Sequence, residues 1–472
     1  MKNSLIVIFL CITLLFLILI FSADRRLGII FLFGLIFVGT FILVAKFHHL
    51  QITIIFVACS ISLLLSELLI ENFNWSRIIL PTEDHGFMEW GVLAVVFGMS
   101  ILIAATSHTG LFDWIIIRML KVSKGKVFPL FGLTFILTFA LSTVLANVTA
   151  MILVSSMILT VCSGLDYDPT PFLLSSVLAT SLAGMATLVS SLPAIMVGAA
   201  AGMSFIDFLL VSIPFLIITI PLSIFYLKRV FPPEKIPFSN SSNSNIDIQM
   251  ILSLDEWGVV EDKGKFYLAA FSLSVTIFGF ILADTIGIPI GVIAILGGIL
   301  AVVLTRSDEN KLLRELSWDT LLFFAGLFIL VGTLESTHIL EDLAFLISEI
   351  SGEDLFTSGM LILIISSLVS GILDNIPVTA ALIPIVKEIS TLPSTAGHPL
   401  YLWFMLVFAG AFGGGLTPFG SAASILALSI LTKEGRPLNF KYFMIRLVPI
   451  SLFLLLFSGI YLSVLAFIFN LI

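Results

Sequence analysis

Charge is the scarcest ingredient of this sequence. Lys and Arg number 22 and Asp and Glu 30 among 472 residues, 11% in all, while 59% of the chain is hydrophobic and the mean hydropathy is +1.19. So little charge excludes a water-soluble domain of this size, and with it a nucleic-acid partner, which needs a basic face. Cysteine is nearly missing too. Cys11, Cys59 and Cys162 stand apart in apolar stretches, which excludes a disulfide framework or metal-ligand spacing and makes them small hydrophobes. The apolar core offers no nucleophile beside a base, so neither an enzyme nor a cofactor is expected.

Long apolar runs are what the sequence does have. With 43 Phe and runs of about twenty apolar residues, it can form about a dozen helices, each able to cross a hydrocarbon core about 30 Å thick. The expected partner is therefore the lipid bilayer. The run at 4–22 is too long for an ordinary signal peptide and lacks a small-x-small cleavage site, so it is read as a first membrane helix.

Internal duplication organises the chain. Trp90 and Trp318, Gly98 and Gly326, Ser142 and Ser370, and Asn147 and Asn375 each lie 228 residues apart, and the spacing drifts to 230 at Thr187 and Thr417 and to 235 at Pro214 and Pro449. The expected domains are N-terminal scaffold helices over 1–89, a first repeat over 90–230, a Pro/Ser/Asn-rich linker over 231–265, scaffold helices over 266–317, and a second repeat over 318–472. Re-entrant hairpins are expected at 127–162 and 357–391, and broken helices at 172–203 and 400–432. The fold class is thus an all-α polytopic membrane protein of about eleven transmembrane helices plus two hairpins. With the N-terminus in the cytoplasm and the repeats inverted, 18 of the 22 Lys and Arg residues fall on the cytoplasmic side, the asymmetry of the positive-inside rule. Arg25, Arg26, Arg77 and Lys387 fall outside it. Duplicated membrane halves are the usual build of secondary transporters, with the substrate near the midplane between repeats.

Each repeat interrupts its helical pattern twice, at STVLANVTA (142–150) and GMATLVSSLPAIMVG (184–198), and again at SGILDNIPVTA (370–380) and GGGLTPFGSAAS (413–424). Non-helical backbone at membrane depth is tolerated only inside protein or beside a water-filled cavity. Each break presents carbonyls at one helix end and N–H groups at the next, able to face a cation and an anion respectively. Across 127–165, 172–203, 357–386 and 400–432 the one formally charged residue is Asp374. A lone carboxylate without Lys or Arg suits a cation or a proton. The alternative reading makes Asp374 a cap for the returning arm of the hairpin. Asn147 and Asn375 are open to a similar role, and the hydroxyl residues to helix packing. Glu67, Asp284, Glu335, His108 and His338 read as interfacial.

The stretch LDNIPVTAALIPI (373–385) resembles the second-hairpin motif of the ion transporter superfamily, in the branch that holds NhaD-type sodium/proton antiporters, the melanosomal P protein and arsenite permeases, with citrate and dicarboxylate carriers more distant. The resemblance covers about 90–230 and 318–470. It implies that Asp374, Asn375, Asn147, Thr149, Thr187, Ser190, Ser191, Thr417, Ser421 and Ser424 surround the transported ion, with sodium held among Asp374, Asn147 and Asn375. The chain departs from the pattern at Ala146, where relatives carry an acid, and at Ala194 and Ser424, where they carry Asn. The expectation is a sodium or other monovalent cation/proton antiporter of the inner membrane, possible as a homodimer, with a small ion as substrate and proton or sodium coupling. The rival readings are a carrier of arsenite, citrate or dicarboxylate and, further off, a channel.

Overall fold

The computed structural model describes residues 25–47, 50–71, 73–79, 87–123, 126–145, 147–232, 255–352, 354–391, 398 and 400–468. The run at 4–22, Ala146, most of the linker and Cys11 lie outside the described residues. Among the described residues the secondary structure is helical throughout, and nine helices are long and apolar enough to cross a membrane. Shorter apolar helices occupy Val127–Ser142, Pro169–Ala183, Leu192–Ala201, Ile290–Thr305, Tyr401–Gly413 and Ala422–Lys433. This is a multi-pass membrane protein.

Helix ends follow the duplication. A shift of 228 residues carries Trp90–Ser107 onto Trp318–Glu335 and Leu111–Ser123 onto Ile339–Ser351. The turn between each such pair places one residue in the left-handed region, Gly110 at φ 74° and His338 at φ 60°. Glycine adopts that conformation freely, whereas a side chain there costs roughly 1–2 kcal/mol. The fold imposes the bend on both halves, whatever residue occupies it.

The chain divides into two compact units. The first comprises the described residues of Met1–Trp90, Trp318–Ser358 and Ala380–Gly397. Here Gln51–Leu69 buries Ile55, Cys59, Ser62 and Ser66 along one stripe and packs against Arg25–Lys46 and Trp318–Glu335. The Cys59 thiol donates to the Gly326 carbonyl at 2.9 Å. Arg25 and Arg26, the exceptions to the charge asymmetry, meet acids: Arg25 lies 3.6 Å from Glu71, and Arg26 reaches both carboxylate oxygens of Asp342 at 3.1 Å.

The second unit comprises the described residues of Gly91–Ser317, Gly359–Thr379 and His398–Ile472. Membrane helices associate through packing and close approach, since lipid is as apolar as leucine. At Gly98 an added Cβ would sit 2.3 Å from the Ala294 carbonyl carbon, so only glycine lets Trp90–Ser107 lie against Ile290–Thr305. Pro169–Ala183 and Tyr401–Gly413 are buried at every position. Rings of Phe408, Phe412, Phe457 and Tyr461 gather around Phe215 with centroids 5.1 to 6.0 Å away. Near the end of the linker, a turn seats Trp257 against Trp114 and Phe266 and places Glu256 between Lys121 and Arg118 at 2.7 and 2.9 Å. The hydrogen bond from Lys121 is the main reason the Glu256 carboxyl lies below the usual carboxylate range.

Candidate functional site

The interrupted segments build the candidate site from local hydrogen bonding upward. In the first repeat, Val127–Ser142 and Asn147–Leu165 pack on one another and on Pro169–Ala183, with a turn at 143–145 between the hairpin arms. The Thr187 hydroxyl, in the break after Pro169–Ala183, donates to the Thr143 carbonyl at 3.2 Å. Ser190 folds back on the Thr187 carbonyl at 2.6 Å. Ser191 is the N-cap of Leu192–Ala201: its oxygen accepts from Ala194 N–H at 3.2 Å and its hydroxyl donates to the Gly184 carbonyl at 2.6 Å. One side chain thus serves a carbonyl freed by one helix and an N–H freed by the next, which is how broken backbone is made affordable away from water.

The second repeat builds the same arrangement. Thr417 donates its hydroxyl to the Gly371 carbonyl. Ser421 caps Ala422–Lys433, accepting from Ser424 N–H at 3.2 Å, and the two serine oxygens lie 2.9 Å apart. Here the approach is tighter, because a Cβ on Gly413 would stand 2.8 Å from both the Ser367 carbonyl oxygen and the Ser370 Cβ.

At the second tip Asp374 precedes Asn375–Ser390 and accepts from Ile376 N–H at 3.1 Å. It therefore caps its helix. Pro377 falls in the first turn of the helix, where its missing N–H costs nothing, so the proline beside Asp374 starts the returning arm. Asn375 donates from Nδ2 to the Gly410 carbonyl at 3.3 Å, and a Cβ on Gly414 would lie 3.7 Å from the same nitrogen. A Cβ on Gly410 would lie 3.2 Å from Thr379 Oγ1 and 3.5 Å from Pro193 Cβ. The second tip, the second broken helix and the start of Leu192–Ala201 therefore meet at Gly410. Ala422–Lys433 in turn packs against Asn147–Leu165 and Pro169–Ala183, so segments of the two repeats interlock within this unit.

Similar proteins place this arrangement in a family. The family model described as CitMHS, citrate transporter, matches residues 84–409. The chain belongs to that family. It is a membrane transporter of the ion transporter superfamily, related to the "uncharacterized transporters" Rv2684 and Rv2685 of Mycobacterium tuberculosis. The first is 31% identical over 77% of this chain and 83% of the relative, the second 33% identical over 81% and 88%. The P protein of Mus musculus is 27% identical over 77% of this chain and 52% of its own length. Among solved structures, the YdaH transporter of Alcanivorax borkumensis aligns over 88% of this chain and 98% of its own, with 14% identity and a TM-score of 0.47.

Within this transporter, Thr187, Ser190 and Ser191 stand together at the first break, and Thr417, Ser421 and Ser424 at the second, each group joined to itself or to its hairpin tip. Asp374 and Asn375 are adjacent at the second tip. Asn147 opens the first returning arm as Asn375 opens the second, and its Oδ1 is buried without a protein partner among the described residues. Thr149 is half-buried in the first turn of that arm, and no hydrogen bond ties it to the breaks among the described residues. Two residues were not among the expected ligands. Ser142 and Ser370 are fully buried, and their hydroxyls meet no protein partner among the described residues. Their 228-residue spacing marked the repeat but said nothing of burial.

Proposed function

We propose that this transporter exchanges sodium or another small monovalent cation for protons by alternating access, with Asp374 as the shared carboxylate. The observation that carries this reading is the position of Asp374. It is the one formal charge in the four interrupted segments, and it sits at a hairpin tip beside Asn375, whose amide reaches the second broken helix at Gly410. A charge at membrane depth is costly and marks an ion or proton path by default. Asn147, Asn375 and the hydroxyls of the two breaks supply neutral oxygens, and desolvation at membrane depth favours whichever cation, proton or sodium, neutralises the carboxylate. The re-entrant placement of both hairpins, their opposite orientation, the cytoplasmic N-terminus and the inner-membrane location belong to the same proposal.

A second reading has its own support. The family is described by citrate transport, and the helix N-termini at Asn147, Leu192, Asn375 and Ala422 offer N–H groups and dipole ends to an anion. In that reading the helix starts bind a carboxylate substrate and Asp374 handles the coupling cation.

The deciding experiment is transport in proteoliposomes, with sodium, lithium, citrate, succinate and arsenite tested in turn under an imposed proton gradient. Sodium- or lithium-dependent proton movement supports antiport, and citrate uptake without it moves the assignment to the second reading. If one carboxylate carries one cation each way, an imposed membrane potential, worth about 2.3 kcal/mol per charge per 100 mV, has nothing to act on. Sodium uptake at equal pH driven steadily by that potential overturns one-for-one exchange.

A further inference from the structure

We propose that an apolar groove in the second unit is the seat of one anionic phospholipid, with an acyl chain beside the first hairpin tip and the phosphate at Lys228 and Arg229. The inference does not depend on which ion is carried. The groove has a volume of about 520 Å³ and lies between the first hairpin, at Phe139 and Thr143, the first break, at Thr187, and the Phe205–Val230 helix, at Ile213, Ile217 and Pro221. Its two hydroxyls are already used, Thr143 donating to the Ala140 carbonyl at 2.7 Å and Thr187 to the Thr143 carbonyl at 3.2 Å. A polar ligand finds little to bond there, whereas a hydrocarbon chain matches the walls.

The depth and the charge select a lipid. Phe205–Val230 is among the helices long and apolar enough to span a bilayer. Lys228 and Arg229 lie seven and eight residues beyond Pro221 and fifteen and sixteen beyond Ile213. At 1.5 Å per residue, the groove sits about 10 to 22 Å below the cations, which brackets one leaflet of a core about 30 Å thick. The same two elements remain side by side up to the charged end, because the Lys228 ammonium stands 4.3 Å from the centroid of the Phe128 ring. Both cations are exposed, and neither makes an ion pair among the described residues. An apolar groove on a helix whose end carries two exposed cations fits an anionic headgroup with its chain in place, and the chain would rest against the Thr187–Thr143 hydrogen bond.

The test uses the full chain in nanodiscs containing phosphatidylglycerol or phosphatidylcholine with a photoactivatable group in the acyl chain, and the cross-linked peptides are mapped. The expected result is labelling centred on Ile213 and Ile217 that favours phosphatidylglycerol. The preference should fall about fivefold for each charge removed in Lys228→Gln and Arg229→Gln, since each basic residue near the surface contributes about 1 kcal/mol toward an anionic lipid. Ile217→Trp, which fills the groove and leaves both cations, should abolish labelling at Ile213. Equal labelling by the two lipids, undiminished preference in the double glutamine variant, or persistent labelling in Ile217→Trp overturns the proposal.

Discussion

The two interrupted regions make matching hydrogen bonds from the same kinds of side chain, within otherwise different surroundings. Thr187 reaches Thr143 in the first repeat and Thr417 reaches Gly371 in the second, while Ser191 and Ser421 cap the helices that follow. Around that shared frame equivalent positions differ, and three of the differences bear on charge or close packing. Ala183 of the first repeat answers to Gly413 of the second, Lys126 to Asp354, and Ala146 to Asp374. Hydroxyls thus hold the backbone of a break in shape without any charge, because they can serve freed carbonyls and N–H groups together. The carboxylate of the second tip is then an addition to a frame that the first half builds without one.

The largest effect that tests this comparison is at Asp374. Asp374→Asn keeps the shape and the capacity to cap but removes charge and proton, so cation-coupled flux in proteoliposomes should vanish while the protein purifies as a folded monodisperse species. Retained flux would make the two tips functionally alike.

Next comes Gly413→Ala, which copies the first repeat's alanine into the second. The added Cβ meets the Ser367 carbonyl and Ser370, so overpacking should cost roughly 1–3 kcal/mol, while the reciprocal Ala183→Gly costs roughly 1 kcal/mol through backbone entropy. Thermal unfolding of the two variants in one detergent compares them directly, and an equal loss would show that the tighter approach at the second break is not sequence-imposed.

Removing the threonine hydroxyls is milder. Thr187→Val loses the bond to Thr143, and Thr417→Val loses the matching bond to Gly371 together with one accepted from Phe419 N–H at 3.2 Å; at about 1 kcal/mol per bond, the shared bond alone should lower stability or apparent ion affinity about fivefold in each. Comparable losses support a shared frame, and a loss confined to Thr417→Val would confine the role of the threonine bond to the second half.

The smallest effect lies at the start of the second hairpin. Asp354 accepts from the Thr357 hydroxyl at 2.7 Å and its N–H at 2.8 Å, bonds that hold its carboxyl below the usual range. A lowered pKa means that the contribution is complete above the unfolded value of about 3.9 and is lost as pH falls through the folded value. Asp354→Ala should therefore cost about 0.5 kcal/mol at pH 7, the low end for an exposed cap, and nothing in strong acid. The first hairpin, where Lys126 makes no side-chain cap, offers no counterpart.

Much of the helical pattern was readable from residue order. Apolar runs and the 228-residue spacing anticipate Trp90–Ser107 and Trp318–Glu335, and the Gly and Pro clusters anticipate where Pro169–Ala183 and Tyr401–Gly413 stop. The capping role of Asp374 was one of two readings left open, and the distance to Ile376 N–H establishes it without removing the other. The partner of Asn375 was not readable, since nothing near residue 375 points to a carbonyl 35 residues later.

By itself the sequence determined that this chain lives in lipid, that matching residues recur 228 positions apart, and where its helices break, because hydropathy, spacing and backbone propensity are properties of neighbours along the chain. Only the tertiary structure decided that Arg26 meets Asp342, that Gly98 lies against Ala294, and that Ser142 and Ser370 are buried with their hydroxyls turned from any protein partner. Small residues permit close approach between membrane helices but do not name the partner. That choice is made by the packing of segments hundreds of residues apart, where shape and polar satisfaction are settled together.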